Sequence, residues 1–261
     1  MRYLQLLAVF TRAELQYALE YRANLILVFA EELVIVASSF TAVLVLFSHT
    51  DVMNGWTLPE MTVLLGVFYL IQGIQAVFLA VSFERFMEHV RLGTLDFILI
   101  KPVDSQFMIS TRHIQLAQLA QVLLGAVVLG LGLARMGERV TPVNALIFAA
   151  TMGCGVLLVY SLLLVLSTLA FWFVRVENLL AVFWSFIDAG RFPIDIYPGW
   201  LRVTLSTVVP IGIAVTVPAQ AISGRAEPFG LSLMGIATVV AWLFAGWFWR
   251  QGVRNYTGAS A

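Results

Sequence analysis

Runs of about 18 or more residues with almost no charge recur along this chain, and apolar runs of that length are the mark of transmembrane helices. They predict spans over about 23–47, 61–83, 108–134 and 143–173, a fifth beginning near Leu179 and a last over about 230–249. Polar connectors separate them. "SHTDVMNGWTLPE" follows the first, with turn residues Asn54, Gly55 and Pro59, and "RMGERVTP" follows the third. Within the third span Ala126, Gly130 and Ala134 recur every four residues, a small-residue seam that lets helices approach closely.

Two stretches depart from this pattern. Over residues 2–22, Arg2, Gln5, Arg12, Gln16 and Glu20 share one helical stripe, and Glu14 is the clear exception. Such a helix lies in the membrane interface with its polar stripe toward water; the alternative is the opening turns of a long first span. Residues 188–228 are apolar but interrupted by Pro193, Pro198, Pro210, Pro218, Gly199 and Gly212. They read as a seventh span or as a re-entrant hairpin that enters and leaves on one side.

Charge favours the hairpin. With a cytoplasmic N-terminus and six spans, ten Lys and Arg residues fall inside (Arg2, Arg12, Arg22, Arg85, Arg91, Lys101, Arg112, Arg175, Arg250 and Arg254) and five outside. That bias obeys the positive-inside rule, and a seventh span would weaken it by moving Arg250 and Arg254 outside. Irregular backbone at membrane depth needs protein or water around it, so a hairpin over 192–228 implies packing within a larger assembly. The expected fold is an all-α polytopic membrane protein. It has six transmembrane helices, an interfacial helix over 1–22 and the hairpin before the last span, all in one domain over 1–261.

Composition agrees: 61% of residues are hydrophobic and 11% charged, against roughly 45–50% and 25% in soluble domains. Net charge is zero and no basic cluster points to nucleic acid. Cys154 is the single cysteine, which excludes a disulfide framework within the chain. Arg12 and Glu14 interrupt the N-terminal apolar stretch before a signal-peptide core can form.

Several chemistries are disfavoured. A P-loop needs a Gly-Lys-Ser/Thr run, and the only lysine, Lys101, stands between Ile100 and Pro102. His49, His89 and His113 are far apart and lack cysteine or carboxylate partners at metal-ligand spacing. Catalysis by this chain is therefore not expected, and neither is a cofactor. Charges inside the spans are more informative. Glu31 and Glu32 lie about a third of the way into the first span, where carboxylates are costly and usually paired or hydrated. They read as an ion pair with an arginine such as Arg112 or Arg175, or as a polar patch on a translocation path. Asp188 and Arg191 stand three apart, a spacing that pairs them along one helix.

Residues 84–102 are patterned beyond the needs of a connector. Glu84, Glu88 and Arg91 fall on one solvated helix side, while Phe86, Val90, Leu95, Phe97, Ile98 and Leu99 supply apolar surface. Gly93 ends the first helical segment as a C-cap and Pro102 stops the second. Charge and apolar surface on a short cytoplasmic element suit the docking of a partner protein.

Here the chain resembles the ABC-2 type transporter permeases. "GTLDFILIKPVD" is similar to the cytoplasmic loop between the first helix pair of that family. "LEYRANLILVF", "AFWFVRVENLLAVF", "RFPIDIYPGWLRVTLSTVVPIGIAVTVPAQAISG" and the ending "WRQGVRNYTGA" extend the likeness, in order, over nearly the whole chain. The resemblance implies a permease subunit of the bacterial cytoplasmic membrane with both termini cytoplasmic. It implies assembly with two ATP-binding cassette ATPase subunits, which hold ATP and Mg, and with a second permease, identical or a sister. It also implies that the ATPase grips a coupling element carrying Glu84, Arg85, Glu88, Arg91, Gly93, Thr94, Leu95, Asp96, Lys101 and Pro102. Export is the family's usual direction. The competing reading is an ion-coupled carrier acting without an ATPase, for which Glu31 and Glu32 would be the coupling carboxylates.

Overall fold

In the computed structural model, residues 2–137, 140–173 and 177–256 are described. The N-terminal segment forms its own helix, α1 (Arg2–Glu20). The chain leaves helical geometry at Tyr21 (φ −102°, ψ 54°) before α2 (Arg22–Phe47) begins. A two-stranded hairpin follows, β1 (Val52–Met53) antiparallel to β2 (Trp56–Thr57). Its turn residues Asn54 (φ 47°) and Gly55 (φ 82°) both take the left-handed backbone that a tight hairpin demands. Thr57 then caps α3 (Leu58–Gln75): its backbone N–H donates to the Glu60 carboxylate at 2.8 Å, and Pro59 sits in the first turn.

One π-helical turn, Ala76–Ala80, joins α3 to α4 (Val81–Arg91), making a rod of 34 residues. This rod is the core of the molecule. Its apolar window is 67% buried, against 17% for α2 and for α12 (Pro228–Asn255).

The predicted third span is two pieces. Beyond a one-turn helix, α5 (Asp96–Leu99), comes α6 (Ser105–Thr111); the helix then breaks over residues 112–115 and resumes in a 3-10 turn and α7 (Leu119–Met136). Partners distant in sequence hold the break open. The Ser82 hydroxyl donates to the His113 carbonyl at 2.9 Å and accepts from the His113 N–H at 3.1 Å. The Gln115 N–H donates to the carbonyl of Val77, inside the π-helical turn, at 2.8 Å. Two helical irregularities thus satisfy each other's spare backbone groups.

α3 and α7 pack backbone to backbone, through a seam one residue away from the predicted one. A methyl on Gly66 would stand 2.5 Å from the Leu129 nitrogen, and one on Gly125 2.9 Å from the Leu70 nitrogen. Gly73 and Gly132 are equally tight, against Val122 and Val63. The two pairs each repeat every seven residues, the period of a left-handed crossing. Gly130, in the predicted seam, has open space beside it.

α8 (Pro142–Thr168) starts at Thr141, whose hydroxyl accepts from the Asn144 N–H at 3.2 Å. The predicted fifth span is shorter than expected: α9 (Glu177–Asp188) has 12 residues, about 18 Å at helical rise against the ~30 Å of a bilayer core. A 3-10 turn at Ala189–Arg191 and extended residues through Pro193 continue it. α10 (Gly199–Thr207) and α11 (Ile211–Ile222) then meet at a bend of 88°. Among the described residues five helices are long and apolar enough to cross a membrane, or six if that bent pair counts as one. The chain is nearly all-α.

Contacts sort the molecule into two ends. At one, the hairpin meets the later loops: Asn54 donates to the Asp195 carbonyl at 3.0 Å, and Arg225 to the Gly55 carbonyl at 2.8 Å and to Glu60 at 3.0 Å. At the other lie α1, α6 and the end of α12. Tyr3 meets Phe107 edge-on at 4.8 Å, Phe86 meets Trp249 at 5.1 Å and Phe171 meets Tyr256 at 5.8 Å.

Candidate functional site

The stretch 84–102 lies at the α1 end. Gly93 (φ 66°) closes α4 in a Schellman motif, its N–H donating to the Val90 carbonyl at 3.2 Å and the Thr94 N–H to the His89 carbonyl at 2.9 Å. The Thr94 hydroxyl lies 2.8 Å from His89 Nδ1, which ties the residue after the turn to the last turn of α4. Leu95 is fully buried and Ile98 nearly so; with Phe86 they anchor the turn in the core. Asp96 opens α5, and Lys101 and Pro102 form an exposed turn before Asp104 caps α6.

The apolar residues of this stretch therefore divide. Phe86, Leu95 and Ile98 face inward, whereas Phe97 and Ile100 are 69% and 77% exposed. Leu92, a residue the sequence pattern did not single out, is exposed as well. The charged members sit one turn back. Glu84, Arg85 and Arg91 are exposed and Glu88 is half-buried, and all four line a cavity of about 600 Å³ against Leu180 and Trp184 of α9. Arg85 and Glu88 stand 3.7 Å apart.

The charges predicted to lie inside the membrane are elsewhere, and three of the four act electrostatically on one tyrosine. Glu32 is buried, with no hydrogen-bond partner at Oε2 among the described residues; Glu31, one position before it, is exposed. Asp188 and Arg191 form the predicted pair at 3.0 Å, and the Arg191 guanidinium stands over Phe68 at 5.7 Å. Glu32, Asp188 and Arg191 all lie within electrostatic reach of Tyr69, whose hydroxyl donates to Ser39 at 2.6 Å. The expected pairing of a glutamate with Arg112 is not found among the described residues, and Arg175 lies outside them.

Sequence reasoning missed this cluster's centre. Tyr69 stands in an apolar run, as does Gln75, which is fully buried with neither amide atom bonded among the described residues. Gln72 accepts from Gln121 of α7 at 2.9 Å. A signal was available: glutamines three apart at 72 and 75, and again at 115, 118 and 121, in otherwise apolar runs. Polar side chains on one face of a span mark an interface with another helix.

A family model described as "ABC-2 family transporter protein" matches residues 33–260, most of the chain. No curated protein and no solved structure matches.

Proposed function

The chain belongs to the ABC-2 family of transporter proteins, a multi-pass membrane family, and on that premise we propose that it is the permease subunit of an ATP-driven exporter. In this reading residues 84–102 dock a separate ATP-binding cassette ATPase, which binds ATP and Mg. Two permeases, identical or sister chains, assemble with two ATPases around a path between them. The observation that carries the reading is the exposed trio Leu92, Phe97 and Ile100. Large apolar side chains held outward on a capped, core-anchored turn, with the charged neighbours Arg91 and Lys101, have the anatomy of a protein interface. Closure of the ATPases would push on α4, and so on the rod that forms the molecule's core.

The topology proposed with it is six spans in the bacterial cytoplasmic membrane with both termini cytoplasmic. The two ends support the count. The chain lies at the α1 end at Phe171 and at the hairpin end at Asp195, so α9 and its extended continuation make the fifth crossing. Asp195 and Arg225 both bond at the hairpin end, which supports a re-entrant α10–α11 unit between them. α1, separated from α2 at Tyr21, is the interfacial helix.

Co-purification with the ATPase encoded beside the gene tests the proposal. Phe97→Glu combined with Ile100→Glu is expected to weaken the complex at least about tenfold, since buried apolar anchors dominate interfaces, while the permease elutes and melts as wild type. A complex indifferent to both substitutions, or transport by the purified chain without any ATPase, overturns it. Buried Glu32 favours the ion-coupled carrier as the second reading; ATPase-free transport abolished by Glu32→Gln would establish that one instead.

A further inference from the structure

A cleft of about 490 Å³ separates the start of α6 from the last turns of α12. Its walls change character along α12. Arg250 and Arg254 stand toward the end of α12, whereas Gly246 and Trp242 line the cleft nearer the middle of the span, and Ser105 and Gln106 line it from α6. From residue 242 to residue 254 the helix rises about 18 Å. Neither arginine has an ion-pair partner among the described residues. Asp104 shares the cleft, but its carboxylate accepts the Phe107 N–H at 2.8 Å as the cap of α6. Two cations against one carboxylate leave a single positive charge, matched by one phosphodiester. Beside Gly246 there is open space where a side chain would stand.

We propose that this cleft is a binding site for one anionic phospholipid, its phosphate on Arg250 and Arg254 and an acyl chain over Gly246 and Trp242. A basic pocket between helices at the membrane surface attracts anionic headgroups, and the apolar wall that continues from it toward the middle of α12 suits an acyl chain. The apolar continuation selects a lipid over free phosphate, because a soluble anion fills only the arginine end. The site makes no use of residues 84–102 and does not depend on an ATPase.

Native mass spectrometry of the purified full-length chain tests it, with phosphatidylglycerol, phosphatidylcholine and soluble glycerol phosphate as probes. One phosphatidylglycerol should be retained about tenfold more tightly than phosphatidylcholine, as expected for roughly one to two surface cations acting on one charge. Arg250→Gln with Arg254→Gln should erase that preference, and the corresponding lysine pair should keep most of it. Gly246→Phe, which leaves both arginines in place, should weaken phosphatidylglycerol by blocking the chain end; it carries the test if the glutamine pair misfolds. Equal retention of the two lipids, or full retention in both the glutamine pair and Gly246→Phe, overturns the proposal. Displacement of the lipid by glycerol phosphate at equal concentration shows a free-phosphate site and also overturns it.

Discussion

Glu14 stands off the polar stripe of α1, and its carboxylate faces the His113 ring at 3.7 Å, beside a cavity of about 390 Å³ that Arg85 and Tyr17 also line. Both groups lie outside the spanning helices. Burial pushes the Glu14 carboxyl above its usual range. Burial, then Arg112, Arg85 and His89, hold the His113 imidazole below its usual range, so these outweigh the attraction of Glu14. The signs follow by linkage. Unfolded, His113 takes a proton near its ordinary 6.5; folded, it resists, so stability is lost as pH falls below about 6.5. Glu14 acts oppositely, its cost being relieved as pH falls toward the carboxylate range. Melting the purified chain between about pH 7.5 and 5.5 should show a falling midpoint, as His113 titrates over that window. His113→Gln should flatten the slope; an unchanged slope would place its origin elsewhere.

At the scale of elements, the α3–α7 pair and the break before α7 decide how the core is assembled. Gly125 and Gly130 lie five residues apart in one helix with equal local propensity, yet only Gly125 meets a neighbouring backbone. Gly125→Val should destabilise the protein by about 1–3 kcal/mol or prevent folding, the cost of overpacking. Gly130→Ala should be neutral or stabilising by about 0.5–1 kcal/mol, as glycine is the poorer helix former. Thermal melts of the two variants check the contrast, and similar effects would mean the seam is misplaced. Ala126, Gly130 and Ala134 were visible in the chain as a four-residue repeat, and Gly125 and Gly132 as a seven-residue one. Choosing between them requires knowing which face of α7 meets α3, and that is a property of the packed pair.

The whole molecule is tied at the hairpin end by Arg225. Its guanidinium bonds Gly55 and Glu60 and lies over Trp56 at 5.1 Å, joining the loop before α12 to the start of the central rod. The Glu60 side chain is 5% exposed and accepts from Arg225 as well as from Thr57. Arg225→Met should cost about 2–3 kcal/mol, because a charge-bearing hydrogen bond is lost and a buried carboxylate is left with fewer donors. The expected readout is a lower melting temperature that Glu60→Gln partly restores. Neither residue stood out in the sequence, since 165 positions separate them.

Much of the architecture was determined by the chain alone. Runs of apolar residues long enough to span a bilayer, an Asn-Gly hairpin turn, the glycine closing α4 and the Asp188–Arg191 pair are local features, each set by neighbours within a few residues. The family likeness was legible for the same reason, in short contiguous stretches. Tertiary structure decided the rest. It split the third span, because Ser82 and Val77 offered His113 and Gln115 better partners than a continuous helix would. It turned Phe97 and Ile100 outward while burying Leu95 and Ile98, and it brought Glu32, Asp188 and Arg191 within electrostatic reach of Tyr69. In a chain this apolar, hydrophobicity does not distinguish a face against lipid from a face against protein. Only the packed helices separate the two.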